Sequence, residues 1–346
     1  MNLGRLVKRD VASLRAYHAT EIPCRVKLDA NESPFGFGGA LKAASKIATN
    51  RYPDPEAKDL KRLLAKEFGV RQGNILQGNG SDELIYYLIA TFGGPVLFPT
   101  PTFSMYGIIA QALGEKRIAI PLDREFDLDV KRILRAIAAK KPKVIFLSSP
   151  NNPTGNCFSS ERILKIVERS RGIVVVDEAY QPFSSEKGFL PLLKDYRNLV
   201  IMRTLSKIGL AALRLGFLIA DDAIIGEVNK VRLPFNVNSL SQAVAAEALR
   251  EKSRAKSFIR TIVSERKRLA GELEKIEGIR PFPSEANFIL FRVGNPDKVY
   301  ASLLGRGVLV RNINESVKGC LRVTVGAPAE NAAFLKALRQ IVRGEG

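Results

Sequence analysis

The sequence predicts an α/β protein built on a mainly parallel sheet with helices on both faces, followed by a smaller α+β domain. Short, near-continuous apolar runs recur at 95–98, 117–120, 144–147, 173–176, 199–202 and 217–220. A strand covered on both faces loses polar/apolar alternation, so such runs indicate a parallel, doubly covered sheet. Between the runs lie amphipathic segments with helical spacing, the crossovers that parallel strands require. After Asn238 the pattern changes to one long helical stretch and then a mixture of short strands and helices.

Taken in order, residues 1–35 form an irregular arm, followed closely by Gly36 and punctuated by Pro23 and Pro34. Helical spacing over 56–68 ends at Gly69, where a left-handed cap is common. Gly78-Asn-Gly-Ser-Asp-Glu83 opens a helix running to Phe92, and 128–139, with Leu134 and Ile137 among its apolar positions, forms a later crossover. The stretch 239–276 is helical with one break. A strand at 287–292, a helix at 296–304, strands at 308–310 and 321–325, and a helix at 329–342 complete the chain. This gives an N-terminal arm (1–35) joining the small domain, a large domain (36–238), and an interdomain helix with the C-terminal small domain (239–346).

A chain of 346 residues, 46% hydrophobic and 26% charged, can bury a sizeable core. No apolar run reaches the roughly 18 residues that span a bilayer. The basic segment 1–10 lacks the apolar core of a secretory signal. Three widely spaced cysteines, Cys24, Cys157 and Cys320, match neither a disulfide framework nor a zinc site, so a cytoplasmic setting without metal is expected. The net charge of +19 is spread along the chain and interleaved with acids. That pattern is a solvated surface that helps recruit anionic small molecules, and neither nucleic acid nor membrane is expected as a partner.

The chemistry concentrates in Thr204-Leu-Ser-Lys-Ile-Gly-Leu-Ala-Ala-Leu-Arg-Leu-Gly-Phe217. Lys207 and Arg214 stand seven residues apart between two apolar runs, and could serve two parts of one anionic cofactor. The lysine would form a Schiff base with an aldehyde, and the arginine would hold a phosphate with its planar fork. Ser-Lys alone is weak, because most lysines are solvated surface charges. Its weight comes from what lies upstream: Ser149-Pro-Asn-Asn-Pro-Thr-Gly155 after one apolar run, Asp177-Glu-Ala-Tyr180 after another, and the glycine-rich turn at Gly78.

Together these motifs resemble the fold-type I pyridoxal-phosphate aminotransferases over nearly the whole chain, and most closely their histidinol-phosphate branch. Leu28-Asp-Ala-Asn-Glu-Ser-Pro34, Arg51-Tyr-Pro-Asp-Pro55, Asn236-Val-Asn-Ser-Leu-Ser-Gln242 and Leu321-Arg-Val-Thr-Val-Gly326 carry the branch resemblance. It implies a seven-stranded-type sheet in the cofactor domain and a lysine-bound pyridoxal phosphate.

By that resemblance Lys207 carries the cofactor aldehyde and then moves the proton between Cα and C4′. Asp177, at a strand's C-terminal end where ligands bind in such sheets, keeps the ring nitrogen protonated. Tyr180 and Asn152 hydrogen-bond the ring 3-oxygen, while Asn151 is structural. Phe103 stacks on the ring, where the branch usually has tyrosine. Gly80, Ser81 and Asp82 offer a helix N-terminus to the phosphate, aided by Ser206 and Arg214. Tyr52 reaches the neighbouring subunit's cofactor phosphate, which implies a homodimer with shared sites. Arg322 grips the α-carboxylate, Arg311 meets the substrate phosphate, and Asn31 and Glu32 line the substrate end. His18, in the arm, is not expected to be catalytic.

The implied reaction exchanges histidinol phosphate and 2-oxoglutarate for imidazole-acetol phosphate and glutamate, a step of histidine biosynthesis. Threonine-phosphate decarboxylase and an aromatic or aspartate aminotransferase remain alternatives, because the bond broken at Cα depends on an angle the sequence does not state. A non-catalytic basic binding protein would have lost the lysine or the aspartate, and both are present.

Overall fold

The computed structural model describes residues 3–14, 16 and 22–344. His18 lies outside the described residues. The strands are β1 (Val26–Lys27), β2 (Ile75–Asn79), β3 (Val96–Thr100), β4 (Arg117–Pro121), β5 (Val144–Ser148), β6 (Ile173–Asp177) and β7 (Leu199–Thr204). They continue with β8 (Leu215–Ala220), β9 (Arg280–Pro281), β10 (Phe288–Arg292), β11 (Val308–Leu309), β12 (Arg311–Asn312) and β13 (Cys320–Thr324).

The main sheet has seven strands in the order β2-β8-β7-β6-β5-β3-β4. Strands β3 to β7 are mutually parallel, whereas β8 runs antiparallel to both β7 and β2. β5 and β8 are buried at every position, which is why they read as unbroken apolar runs. β2 is the strand that apolar patterning does not mark, because Gln77, Gly78 and Asn79 interrupt it. Gln77 is nonetheless buried, with its Nε2 donating to the Pro55 carbonyl at 3.0 Å.

The helices are α1 (Arg9–Ala12), α2 (Lys58–Phe68), α3 (Ser81–Phe92), α4 (Met105–Ala112), α5 (Val130–Lys140), α6 (Ser160–Arg169) and α7 (Asp222–Asn229). They are followed by α8 (Ser239–Arg250), α9 (Lys252–Glu274), α10 (Pro296–Gly305) and α11 (Pro328–Val342). Gly69 ends α2 at φ 67°, and Asp129 caps α5 by accepting from the Arg132 N–H. Apolar residues of α2, α5, α6 and α8 form one core under the main sheet, and those of α3, α4 and α7 form another on its opposite face.

A separate core gathers β10 and β13, most of α9, and helices α10 and α11. Val26 and Leu28 of the N-terminal arm join it, and β1 pairs in parallel with β11. The break in the long helical stretch falls at Glu251, between α8 and α9. A division at 238/239 sets α8 apart from the large domain. In the packing, however, Val244, Ala245 and Ala248 belong to the main-sheet core. The handover occurs inside α9: Ala255 and Phe258 pack on the first core, Ile262, Leu269 and Leu273 in the second.

Candidate active site

The C-terminal ends of β2, β3, β5, β6 and β7 share one edge of the main sheet, and the reversed strand β8 begins at that same edge. Asp177 is the last residue of β6 and is 4% exposed. The Tyr106 hydroxyl donates to its Oδ2 at 2.6 Å, and the Ala179 N–H donates to Oδ1 at 3.0 Å. Burial pushes the Asp177 carboxyl up from 3.8 to about 6. The two donors and the Lys207 charge pull the other way, while the Asp82 charge adds to the rise. Next to it, Glu178 is 1% exposed and accepts both Nε and Nη2 of Arg203, at 2.9 and 2.7 Å, which ties β6 to β7.

Lys207 lies in the turn Ser206–Ile208 that follows β7, with its Nζ 5.7 Å from the centre of the Tyr180 ring. Ser206 is buried, its hydroxyl 2.9 Å from that of Thr204. The hairpin then returns through Arg214, whose φ of 52° lets it turn directly into β8. Its Nη2 stands 3.5 Å from Asp82 Oδ2.

Gly80 caps α3 at φ 84°, and among the described residues no side chain caps that helix's first N–H groups. A Cβ on Gly80 would stand 2.6 Å from Arg214 Nη2, and one on Gly216 would stand 2.8 Å from the Ser81 nitrogen. The two glycines therefore let the start of α3 close on β8 and leave room for the guanidinium over bare N–H groups. Asp82 Oδ1 is buried there without a hydrogen-bond partner among the described residues, and burial pushes that carboxyl up while Arg214 and Lys207 oppose it. Uncapped donors, a guanidinium and a serine hydroxyl form a cradle for a phosphate. With Lys207 and a buried carboxylate at the other end, the donor set fits pyridoxal phosphate.

The residues expected from the sequence to line the substrate end come mainly from elements around the second core. Arg322 on β13 is 7% exposed, with Nη1 donating to Asn152 Oδ1 and Nη2 to the Asp29 carbonyl, both at 2.6 Å. Arg311 pairs with Arg322 in the antiparallel register of β12 and β13, so the two project from the same sheet face. No carboxylate among the described residues pairs with Arg311, which is exposed. Asn31 is 2% exposed, and its Nδ2 donates to the Tyr180 hydroxyl oxygen at 2.9 Å. Glu32 is half exposed and pairs with Lys27 at 2.6 Å. It helps line a cavity of about 450 Å³ together with Thr324, Ala211 and Ala212.

Phe103 lies edge-on to Tyr106 at 5.6 Å, and Asn151 is fully buried, bonded to Pro101, Thr102 and Thr154. Tyr52 is the residue not brought to the cluster: it is 82% exposed and stacks on Phe235 at 4.6 Å. Sequence reasoning missed Tyr106 as the partner of Asp177. The available signal was a tyrosine inside an apolar helix, since a buried phenol needs a hydrogen-bond partner.

The sequence matches the family described as aminotransferase class I and II over residues 17–338. It is 45% identical over 351 residues to the histidinol-phosphate aminotransferase of Aquifex aeolicus (strain VF5), covering 98% of both chains. The structure superposes on the Sinorhizobium meliloti histidinol-phosphate aminotransferase, solved with pyridoxal-5'-phosphate, at a TM-score of 0.86, with 24% identity and 98% of each chain covered. It also superposes on the L-threonine-O-3-phosphate decarboxylase of Porphyromonas gingivalis at 0.81 and 23% identity, over 92% of this chain and 99% of that one. At such identities a likeness in structure is one of fold alone. The match to the family over most of the chain, together with the Aquifex relative, shows that the chain belongs to the class I and II aminotransferases, within the histidinol-phosphate aminotransferase family.

Proposed function

We propose that the chain transfers an amino group between histidinol phosphate and 2-oxoglutarate, in the cytoplasm and in histidine biosynthesis, with pyridoxal phosphate held on Lys207. The observation that carries this reading is the meeting of Lys207, buried Asp177 and the Arg214-lined start of α3 at one sheet edge. The substrate is supported by the activity named for the Aquifex relative.

Bound pyridoxal phosphate supplies an electron sink for the negative charge that forms at the substrate Cα. The protein's own groups do the rest. Lys207 Nζ takes the Cα proton and returns one, a role within reach of an amine freed by exchange with the substrate. Ionised Asp177 holds a proton on the ring nitrogen. Ser206, Arg214 and the first N–H groups of α3 anchor the phosphate, and Phe103 and Tyr180 hold the ring. Arg322 and Arg311 hold anions: two like charges directly opposite each other repel, and an anionic substrate offsets that cost. Histidinol phosphate brings a phosphate and glutamate two carboxylates, which guanidinium forks can serve in turn.

Tyr52 supports a homodimer with shared sites. It is an exposed aromatic on Phe235, and Tyr86, Leu233 and Leu240 are further exposed apolar side chains for a second copy to cover. Among the described residues no helix is long and apolar enough to cross a membrane.

The test is to mix cofactor-loaded protein with histidinol phosphate alone and follow its visible spectrum. Loss of the pyridoxal band, restored by 2-oxoglutarate, is expected. No change with histidinol phosphate, but carbon dioxide release from threonine phosphate, would replace this reading with the decarboxylase.

Arg322→Lys separates the two half-reactions. A lysine cannot reach Asn152 and Asp29 together and also offer a carboxylate a fork. The glutamate half-reaction is expected to slow by roughly 10- to 100-fold. The histidinol-phosphate half-reaction, which presents no α-carboxylate, should lose much less. Equal losses in single-turnover measurements would remove Arg322 from carboxylate recognition.

A further inference from the structure

We propose that Asn31 is a positioning residue that turns the hydroxyl hydrogen of Tyr180 toward the cofactor, and not a substrate contact. The inference rests on the reading that Tyr180 faces the cofactor's 3-oxygen. Asn31 has φ 55°, a left-handed conformation that asparagine tolerates better than most residues, and only 2% of the residue is exposed. Its N–H donates to Thr324 Oγ1 at 2.9 Å, and its carbonyl accepts from Asn287 Nδ2 at 3.0 Å. With both backbone groups engaged, the loop holds the side chain in one place.

The polarity of the side-chain bonds then follows in steps. The Thr324 hydroxyl accepts the Asn31 N–H, so its own hydrogen is available to Asn31 Oδ1 at 3.3 Å. That turns the amide oxygen toward Thr324 and the amide nitrogen toward Tyr180. Asn31 Nδ2 therefore donates to the Tyr180 oxygen at 2.9 Å. A phenol has one hydrogen, and an oxygen that is accepting from Asn31 sends that hydrogen elsewhere. The ring cannot swing to follow it: Tyr180 is 5% exposed and lies edge-on to Phe288 at 5.1 Å. The Lys207 amine stands over the face of the same ring, 5.7 Å from its centre, so the ring borders the site the cofactor would occupy.

The same geometry weakens the alternative. One of the two Nδ2 hydrogens is committed to Tyr180, Oδ1 to Thr324, and both backbone groups to neighbours, so little of Asn31 is left for a substrate. Thr324 and Asn287 belong to β13 and the approach to β10, whereas Tyr180 follows β6. Tyr180 itself packs in the second core, so the direction of its hydrogen depends on that core being formed.

The test is a pH titration of the visible absorbance of the cofactor-loaded protein, which reads the proton held beside the 3-oxygen. A hydrogen bond from Tyr180 neutralises part of the charge on that oxygen, so losing it raises the pH at which the proton leaves. Asn31→Asp keeps the shape and the tolerance for positive φ, but its carboxylate accepts from Tyr180 and draws the hydrogen away. The midpoint is expected to rise by about one pH unit, the size of one hydrogen bond. Tyr180→Phe should give a similar rise, and the double variant no more than Tyr180→Phe alone.

Additive rises in the double variant would mean a simple charge effect and overturn the proposal. So would an unmoved midpoint in Asn31→Asp beside a moved one in Tyr180→Phe. If Tyr180→Phe itself leaves the midpoint in place, the reading of Tyr180 falls, and the inference with it. Should Asn31→Asp fail to fold, Asn31→Gly keeps the backbone and removes the amide. A smaller rise is then expected, and none would refute the role.

Discussion

Replacing Lys207 with alanine is expected to abolish turnover, by roughly 10⁴-fold or more, while the protein still folds. The fold prediction comes from placement. Lys207 ends in a partly open turn after β7 and forms no salt bridge among the described residues, so its removal opens no core cavity. The loss of activity would come from the two tasks proposed for this one amine, anchoring the aldehyde and moving the Cα proton. Pyridoxal phosphate bound to the variant should therefore lose the absorbance that a lysine linkage confers, yet still be retained through Ser206, Arg214 and the start of α3. Melting temperature, cofactor retention on a desalting column and single-turnover rate check the three statements. Transamination at the wild-type rate would overturn the assignment of the site.

Asp177→Asn is expected to separate stability from activity in opposite directions. In the cofactor-free protein, burial raises this carboxyl from 3.8 to about 6. A group whose folded-state value is raised stabilises the fold fully below its unfolded value, and that contribution is lost as pH rises through the folded value. Between pH ~4 and ~6 the apo protein should lose about 3 kcal/mol through Asp177, the equivalent of that rise. Asparagine is uncharged and nearly isosteric, and the Tyr106 hydroxyl can turn to accept from its amide. The apo variant should therefore melt several degrees higher than wild type at pH 7.5, with the gap closing below pH ~4. Turnover should fall by roughly 10²- to 10³-fold, since no carboxylate then holds the proton on the ring nitrogen. A variant that is less stable at pH 7.5, or as active as wild type, would contradict the account.

How much of this was legible in the sequence depended on what each residue's role consists of. β5, β6 and β7 were readable because burial on both faces leaves an unbroken apolar run. β2 was hidden because Gln77 is buried through one hydrogen bond to a loop, and composition carries no trace of such a bond. The two-residue strands β1, β9 and β12 exist only through their partners, whereas β11 falls inside the strand expected at 308–310. In the site, Lys207, Asp177 and Arg214 stood out because the chemistry proposed for them depends on short motifs after or before strands. Tyr106, Thr324 and Asn287 act through tertiary hydrogen bonds to residues distant in the chain, so no local pattern announces them.

The reversal of β8 has a consequence for what the chain can tolerate. Ser206, Lys207 and Arg214 sit on one hairpin, with Thr204 opposite Gly216 and Gly78 on the other side of that glycine. Adding or deleting a single residue between Thr204 and Gly216 without compensation in the turn would shift the register of β8 and turn its side chains to the other face of the sheet. Arg214 would then leave the start of α3, and a bulkier residue would stand where only a glycine fits against the Ser81 nitrogen. The spacing of this hairpin is therefore as constrained as its residues, and length variation within the domain belongs in its surface connections.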